Sequence, residues 1–173
     1  MTTAPAPSEY AAFYQTYVKL VPLGGEGIVA LLEAQTLTTL DALRQVSEEK
    51  SLHRYAPGKW SIRESFVHVS DTERIFSYRA LRFARGDQKE LAGFDQDDYI
   101  LPSEADTRTW KSIVEEHEAV RMATLHLFRN LPESAWTRIG SANGNPVSVR
   151  ALATITAGHE LHHLSLLRDH YLA

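Results

Sequence analysis

Cysteine is absent from the 173 residues, which excludes disulfides, zinc–thiolate sites and any mechanism that uses a protein thiol as nucleophile. A metal must therefore be held by His and carboxylates, and a sulfur nucleophile must come from outside. Long apolar runs are missing too. No segment approaches the ~20 residues needed to cross a bilayer, and the opening MTTAPAPSEY carries no basic stretch followed by an apolar one. A cytoplasmic protein with no membrane partner is the resulting expectation. Excess charge of either sign is also lacking: the formal net charge is -4, with Lys and Arg scattered along the chain. Phosphate binding leaves a basic footprint, and without one nucleic acid is not expected as a partner.

What is present suits a compact helical domain. Hydrophobic residues make up 43% and charged residues 23%, near the averages of soluble globular chains, which argues against disorder. The length suits one domain, read here as residues 8–173 behind a flexible Ala/Pro leader of residues 1–7. Ser8 is expected to cap a short helix carrying Tyr10, Phe13, Tyr14 and Tyr17, ended by Pro22 and the Gly24-Gly25 pair. From 26 to about 48, Ile28, Leu31, Leu32, Leu40, Leu43 and Val46 recur at helical spacing, with Gln35 and Thr39 completing the stripe. Ser61 and Glu64 form a capping box. The helix it opens carries Ile62, Phe66, Val69, Phe76, Ala80 and Phe83 on one face and stops near Gly86.

Residues 87–105, acidic and interrupted by Gly93 and Pro102, read as an extended surface connection. A third long helix, from about 106 to 130, has Trp110, Ile113, Val114, Val120, Leu127 and Phe128 as its apolar set and closes at Pro132. Residues 143–146 read as a turn, after which Ser148 caps a final helix reaching almost to Ala173. Its inward seam is Leu152, Thr156, His159, His163, Leu166 and His170. β-Branched alternation is absent, so no strand is predicted. Four long amphipathic helices joined by unequal loops imply an all-α four-helix bundle with an extra short N-terminal helix.

The chemistry concentrates in Gly158-His159-Glu160-Leu161-His162-His163. His159 and His163 stand four apart, so their imidazoles leave one helical face a turn apart and can meet one ion. They fall on the inward seam, where an unpartnered ring is costly to bury. A third ligand must come from another helix, and His68, bordering the face of Val69 and Phe76, is the candidate. Three His with an open position is the catalytic pattern for zinc and its neighbours, although imidazole alone leaves nickel, iron and manganese open. Asp71, three after His68, and Glu64, four before it, are candidates to support a ring N–H.

Competing readings stand beside these. Pairs of His at this spacing also arise by chance, and His162 lies nearly on the same face. His117, one heptad after Trp110, reads as a satisfied core residue or a substrate contact. His53, His126 and His170 read as surface or helix-end groups. Arg74, Arg79, Arg82 and Arg85 share one helix and read as a solvated, ion-paired face, or as an anion contact for a charged substrate.

The stretches Tyr55 to Glu64, His68 to Arg82, Ala92 to Tyr99 and Ala157 to His163 together resemble the DinB-like superfamily, the DinB/YfiT-like metalloenzymes. The likeness covers nearly the whole chain. Its most specific parts are Trp60-Ser61-x-x-Glu64, the following His68, and His159-x-x-x-His163. The resemblance implies a four-helix bundle, often dimeric, with a divalent metal held by His68, His159 and His163. Zinc or nickel come first, iron or manganese next.

Some relatives of this kind are S-transferases that use a low-molecular-weight thiol such as bacillithiol or mycothiol, and one group includes a mycothiol-dependent isomerase. The expected activity is metal-dependent activation of an external nucleophile, a small thiol foremost, acting on a small-molecule substrate in a homodimer. The alternatives are a hydrolase using metal-bound water and a non-catalytic metal or small-ligand binding stress protein. A third is a helical dimer with buried, metal-free His.

Overall fold

The computed structural model describes residues 3–22 and 27–172. Its frame is four long helices: α2 (Gly27–Arg44), α3 (Ile62–Ala84), α5 (Trp110–Arg129) and α6 (Val149–Leu166), with the short α1 (Gln15–Val18) and α4 (Gln96–Ser103) beside them. Helix α3 packs on α5 and α6, and α2 packs on the same two. Consecutive helices α2 and α3 therefore occupy opposite corners of the bundle. The expected four-helix bundle with a short helix before it is what the chain forms.

The core divides into layers. One apolar end joins Ile28 and Leu32 to Phe76, Phe83, Phe128, Leu152 and Ile155. The other joins Leu40 and Leu43 to Ile62, Phe66, Trp110, Ile113, Leu164 and Leu167. Since the start of α2 meets the end of α3 and the start of α6, α2 runs with α6 and against α3 and α5. Between the two ends lies a buried polar layer containing Gln35, His68, Glu73, His117, Arg121, His159, Glu160 and His163. Burying so many polar groups is tolerable only if they partner one another, and this layer holds the candidate site.

Several boundaries follow the sequence and several do not. Ser61 caps α3 by accepting from the Glu64 amide while Glu64 accepts from the Ser61 amide. Ser148 caps α6 by accepting from the Ala151 amide. The first helical turn, Pro7–Glu9, is capped at Ala6 instead of Ser8, because the Glu9 carboxylate reaches back to the Ala6 amide at 2.9 Å. The Gly24-Gly25 stop and the Glu26 helix start lie outside the described residues. Helix α5 begins at Trp110, capped by Thr109, and α6 gives way after Leu166 to a wider π turn, Leu167–Tyr171.

Two expectations fail. The extended connection contains α4, whose start is capped by the Asp95 carboxylate on the Asp97 amide at 2.9 Å. And two strands exist: β1 (Ile139–Ala142) and β2 (Asn145–Ser148) pair antiparallel, with Gly140 opposite Val147. Their turn places Asn143 and Gly144 both at positive φ, 54° and 70°, the geometry that joins two-residue hairpins. At Gly140 an added Cβ would come within 2.1 Å of the Phe83 ring, so the missing side chain lets the hairpin lie flat on the apolar end of the bundle.

Candidate metal centre

Helix α3 brings His68 two turns past its cap, and the neighbouring α6 brings His159 and His163. The ring centroids lie 4.9 Å (His68–His159), 5.1 Å (His68–His163) and 4.6 Å (His159–His163) apart. One ligating nitrogen from each ring falls within 4.8 Å of the others. The His68 and His159 Nε2 atoms are 3.0 Å apart, close to the ~3.3 Å that two nitrogens span across a tetrahedral zinc.

All three rings are buried. Burial lowers the His68 pKa to about 4. It drives His159 and His163 well below the usual imidazole value, with further depression from the neighbouring rings. The rings are therefore neutral near pH 7, as a ligand set must be.

The far sides of two rings are held by hydroxyls. His163 Nδ1 is 3.0 Å from Ser65 Oγ, and His68 Nδ1 is 3.4 Å from Thr72 Oγ1. An N–H donated from Nδ1 to a hydroxyl leaves Nε2 bare and aimed at the centre. This support was expected from Glu64 or Asp71, and the structure turns both elsewhere. Glu64 is occupied by the Ser61 amide and the Arg54 guanidinium, and Asp71 by Arg74.

Of the two readings of His117, the structure takes the satisfied core residue and not the substrate contact. It is sealed inside, 1% exposed, with Nε2 3.2 Å from Glu160 Oε1 and Nδ1 3.4 Å from Ser70 Oγ. It stands away from both clefts described below. Glu160 in turn meets Arg121, which also holds Glu73 at 2.9 Å, and Gln35 joins through its amide. Burial alone would raise the Glu160 carboxyl, but the Arg121 charge and then the His117 hydrogen bond hold it down to about 2.

This lattice ties α2, α3, α5 and α6 together one residue from His159, fixing the rotation of α6 and with it the direction of both its ligand rings. The signal for it is in the sequence. Glu73 falls on the Val69–Phe76 stripe and Arg121 on the Val114–His117 stripe, both polar where an apolar residue is due.

Two clefts open onto the rings. One, of about 310 Å³, reaches His68 and His159 and is walled by Tyr14, Thr72, Phe76, Arg79 and Phe94. The other, of about 380 Å³, reaches His163 and is walled by Tyr55, Trp60, Ser65, His162 and Tyr171. Tyr17 and Gln96 line both, and the Tyr17 ring lies edge-on to His159 at 5.2 Å. His162 lines the second cleft but stands outside the three-ring cluster. No helix among the described residues is long and apolar enough to cross a membrane.

The family model described as the DinB superfamily matches residues 31–167. YfiT from Bacillus subtilis superposes with a TM-score of 0.71 at 15% identity, over 85% of this chain and 87% of that one. Its description is of an unusual four-helix bundle topology and of metal-dependent hydrolysis as its inferred activity.

A DinB-like protein from Bacillus subtilis gives a TM-score of 0.61 at 18% identity, over 84% and 89% of the two chains. The mycothiol-dependent maleylpyruvate isomerase gives 0.67 at 17% identity, over 87% of this chain, which spans 62% of that protein's length. At such identities the likeness is one of fold. No curated protein matches the chain.

Proposed function

The chain belongs to the DinB superfamily, and on that premise we propose that it is a metal-dependent enzyme that joins an external small thiol to an electrophilic substrate. His68, His159 and His163 hold one divalent cation, zinc or nickel foremost, with iron or manganese as alternatives. Residues 8–173 work as a single domain, in a cytoplasmic homodimer. The donor set fits: three buried, neutral nitrogens converge with no carboxylate or thiolate among them. A cation bound there supplies Lewis acidity, lowering the pKa of a nucleophile at its open position.

The chain's own residues do the rest. Ser65 and Thr72 fix two ring orientations, the Glu73–Arg121–Glu160 lattice fixes α6, and Tyr17 divides the approaches. The observation that carries the reading is that two separate clefts meet at one cluster. A reaction between two organic reactants needs two approaches, whereas hydrolysis needs room for one reactant and a water. The absence of Cys accords with sulfur brought from outside. The thiol gives up its proton to solvent water, and as the S–C bond forms the leaving group departs with the electron pair of its bond to that carbon.

The test uses tag-free, metal-loaded protein, a panel of small thiols, and 1-chloro-2,4-dinitrobenzene as chromogenic electrophile. Conjugation that requires both thiol and metal is expected, and chelation should abolish it. Hydrolysis of 4-nitrophenyl acetate without any thiol, and no conjugation, would support the hydrolase reading, in which water takes the same position. About one equivalent of metal with neither reaction would mark a non-catalytic binding protein.

A further inference from the structure

Arg79 is a buried charge that the reaction described so far does not use. Only 4% of its surface is exposed, a degree of burial that arginine reaches almost always as part of a pair. Its neighbours on α3 have such partners: Arg74 pairs with Asp71 and Glu116, and Arg82 with Asp87. Among the described residues Arg79 has no carboxylate at ion-pair distance. Its Nη2 donates to the Ala92 carbonyl at 2.8 Å, it hydrogen-bonds to the Tyr14 side chain, and its guanidinium lies 6.0 Å from the Phe76 ring centre and 5.8 Å from that of Phe94. Five N–H donors on a planar fork are more than a carbonyl and a phenol occupy.

The acidic groups nearby are otherwise engaged. Glu90 lies near enough for the Arg79 charge to help lower its carboxyl, but it makes no ion pair with Arg79 and instead accepts from Ser141 and the Gly144 amide, and Asp95 caps α4. Arg79 follows His68 by eleven positions on α3, close to three full turns, so both leave the same face, with ~16 Å of helix rise between their Cα atoms. Helical side chains lean toward the N-terminus, which inclines Arg79 toward the His cluster. Both line the first cleft, with Thr72 and Phe76 between them.

We propose that Arg79 determines substrate class: it grips a carboxylate at the far end of the electrophile, so that the first cleft takes a small organic acid whose reacting atom lies at the His end. This rests on the His cluster being the reacting centre. Phe76 and Phe94 supply apolar walls for the carbon skeleton between the two ends, and the guanidinium fork matches a carboxylate in two parallel hydrogen bonds. A monoanion suits the cleft better than a phosphate dianion, because among the described residues Arg79 is the only Lys or Arg in its lining and Asp95 lies in the same wall.

The test is calorimetric titration of the metal-loaded protein with 4-methylbenzoate, its neutral counterpart 4-methylbenzyl alcohol, and inorganic phosphate. Wild type should bind the carboxylate roughly tenfold tighter than the alcohol, and tighter than phosphate. Arg79→Gln should erase the difference, Arg79→Lys should keep part of it, and the wild-type preference should survive chelation. A preference kept by Arg79→Gln but lost on chelation would place the carboxylate on the metal and overturn the proposal. Thermal melts establish whether each variant folds. If Arg79→Gln does not, wild type still decides, because equal affinity for acid and alcohol overturns the proposal by itself. No turnover is involved, so failure of the thiol reaction leaves this result standing.

Discussion

His68 and His159 face each other Nε2 to Nε2 at 3.0 Å across the α3–α6 contact. Two neutral rings can satisfy that approach in two ways, by one N–H donating to the other or by both lone pairs turning to a common cation. His163 joins from the next turn of α6 with its Nδ1 already held by Ser65, which favours the second. Metal affinity and protonation at this point are therefore linked.

The sign of that linkage is fixed by burial. His68 has its pKa lowered from 6.5 to about 4, so in the metal-free protein the folded ring stays neutral where the unfolded ring takes a proton. Stability from this group is complete above pH 6.5, is lost as pH falls from there toward 4, and levels off below. For the same reason protons compete weakly with metal. Metal retention followed by elemental analysis after dialysis should hold well below pH 6.5; release centred at or above 6.5 would show that the rings are solvated.

Ser65→Ala removes the hydroxyl on His163 Nδ1 and little else. Outer partners of this kind change metal affinity by roughly 10–100-fold, and a loss in that range is expected by competition with a chromophoric chelator, with far-UV helicity unchanged. His163→Ala should abolish binding outright while the bundle still folds. Full metal content in His163→Ala would remove that ring from the ligand set.

The three ligand candidates could be read from the sequence because helical spacing alone puts His159 and His163 on one face, and His68 borders a strong apolar stripe. Their supports could not be read the same way. Carboxylates at positions 64 and 71 were the natural candidates, but each has an arginine or an amide closer to hand, and the hydroxyls of Ser65 and Thr72 carry no pattern that separates them from surface Ser and Thr. The hairpin was hidden because Ile139, Gly140, Ser141 and Ala142 lack β-branched alternation; its signal was the Asn143-Gly144 turn itself. Helix α4 was masked by Pro102 and by having Ile100 as its one buried residue among those described. For Arg79 the sequence leaves the solvated face and the anion contact equally open to it and to its three neighbours on α3, since nothing in it says that Phe94 and Ala92 will close over this one side chain.

Arg121 is completely buried between Glu73 and Glu160. Arg121→Met keeps the bulk and removes the charge, leaving two carboxylates in the interior. Breaking a buried pair from one side costs about 3–5 kcal/mol, and urea unfolding should report a loss of that size. Adding Glu73→Gln and Glu160→Gln should recover much of it, since what harms the single variant is unpaired charge. A loss below about 1 kcal/mol for Arg121→Met would mean that water reaches this layer.

Gly158 is where α1 touches α6. A Cβ placed there would meet the Tyr17 carbonyl oxygen at 2.1 Å and its carbon at 2.6 Å, and because these are backbone atoms the obstacle cannot rotate away. Alanine is the better helix former by about 1 kcal/mol, so two effects oppose each other in Gly158→Ala. If α1 were a loose appendage it would swing off and the variant would gain stability. Tyr17, however, lines both clefts and lies against His159, and overpacking at such a contact costs about 1–3 kcal/mol. Net destabilisation in urea is expected, together with faster metal loss to a chelator, because displacing Tyr17 joins the two clefts and lets solvent reach the rings. A stabilised variant with unchanged metal exchange would show that α1 takes no part in closing the site.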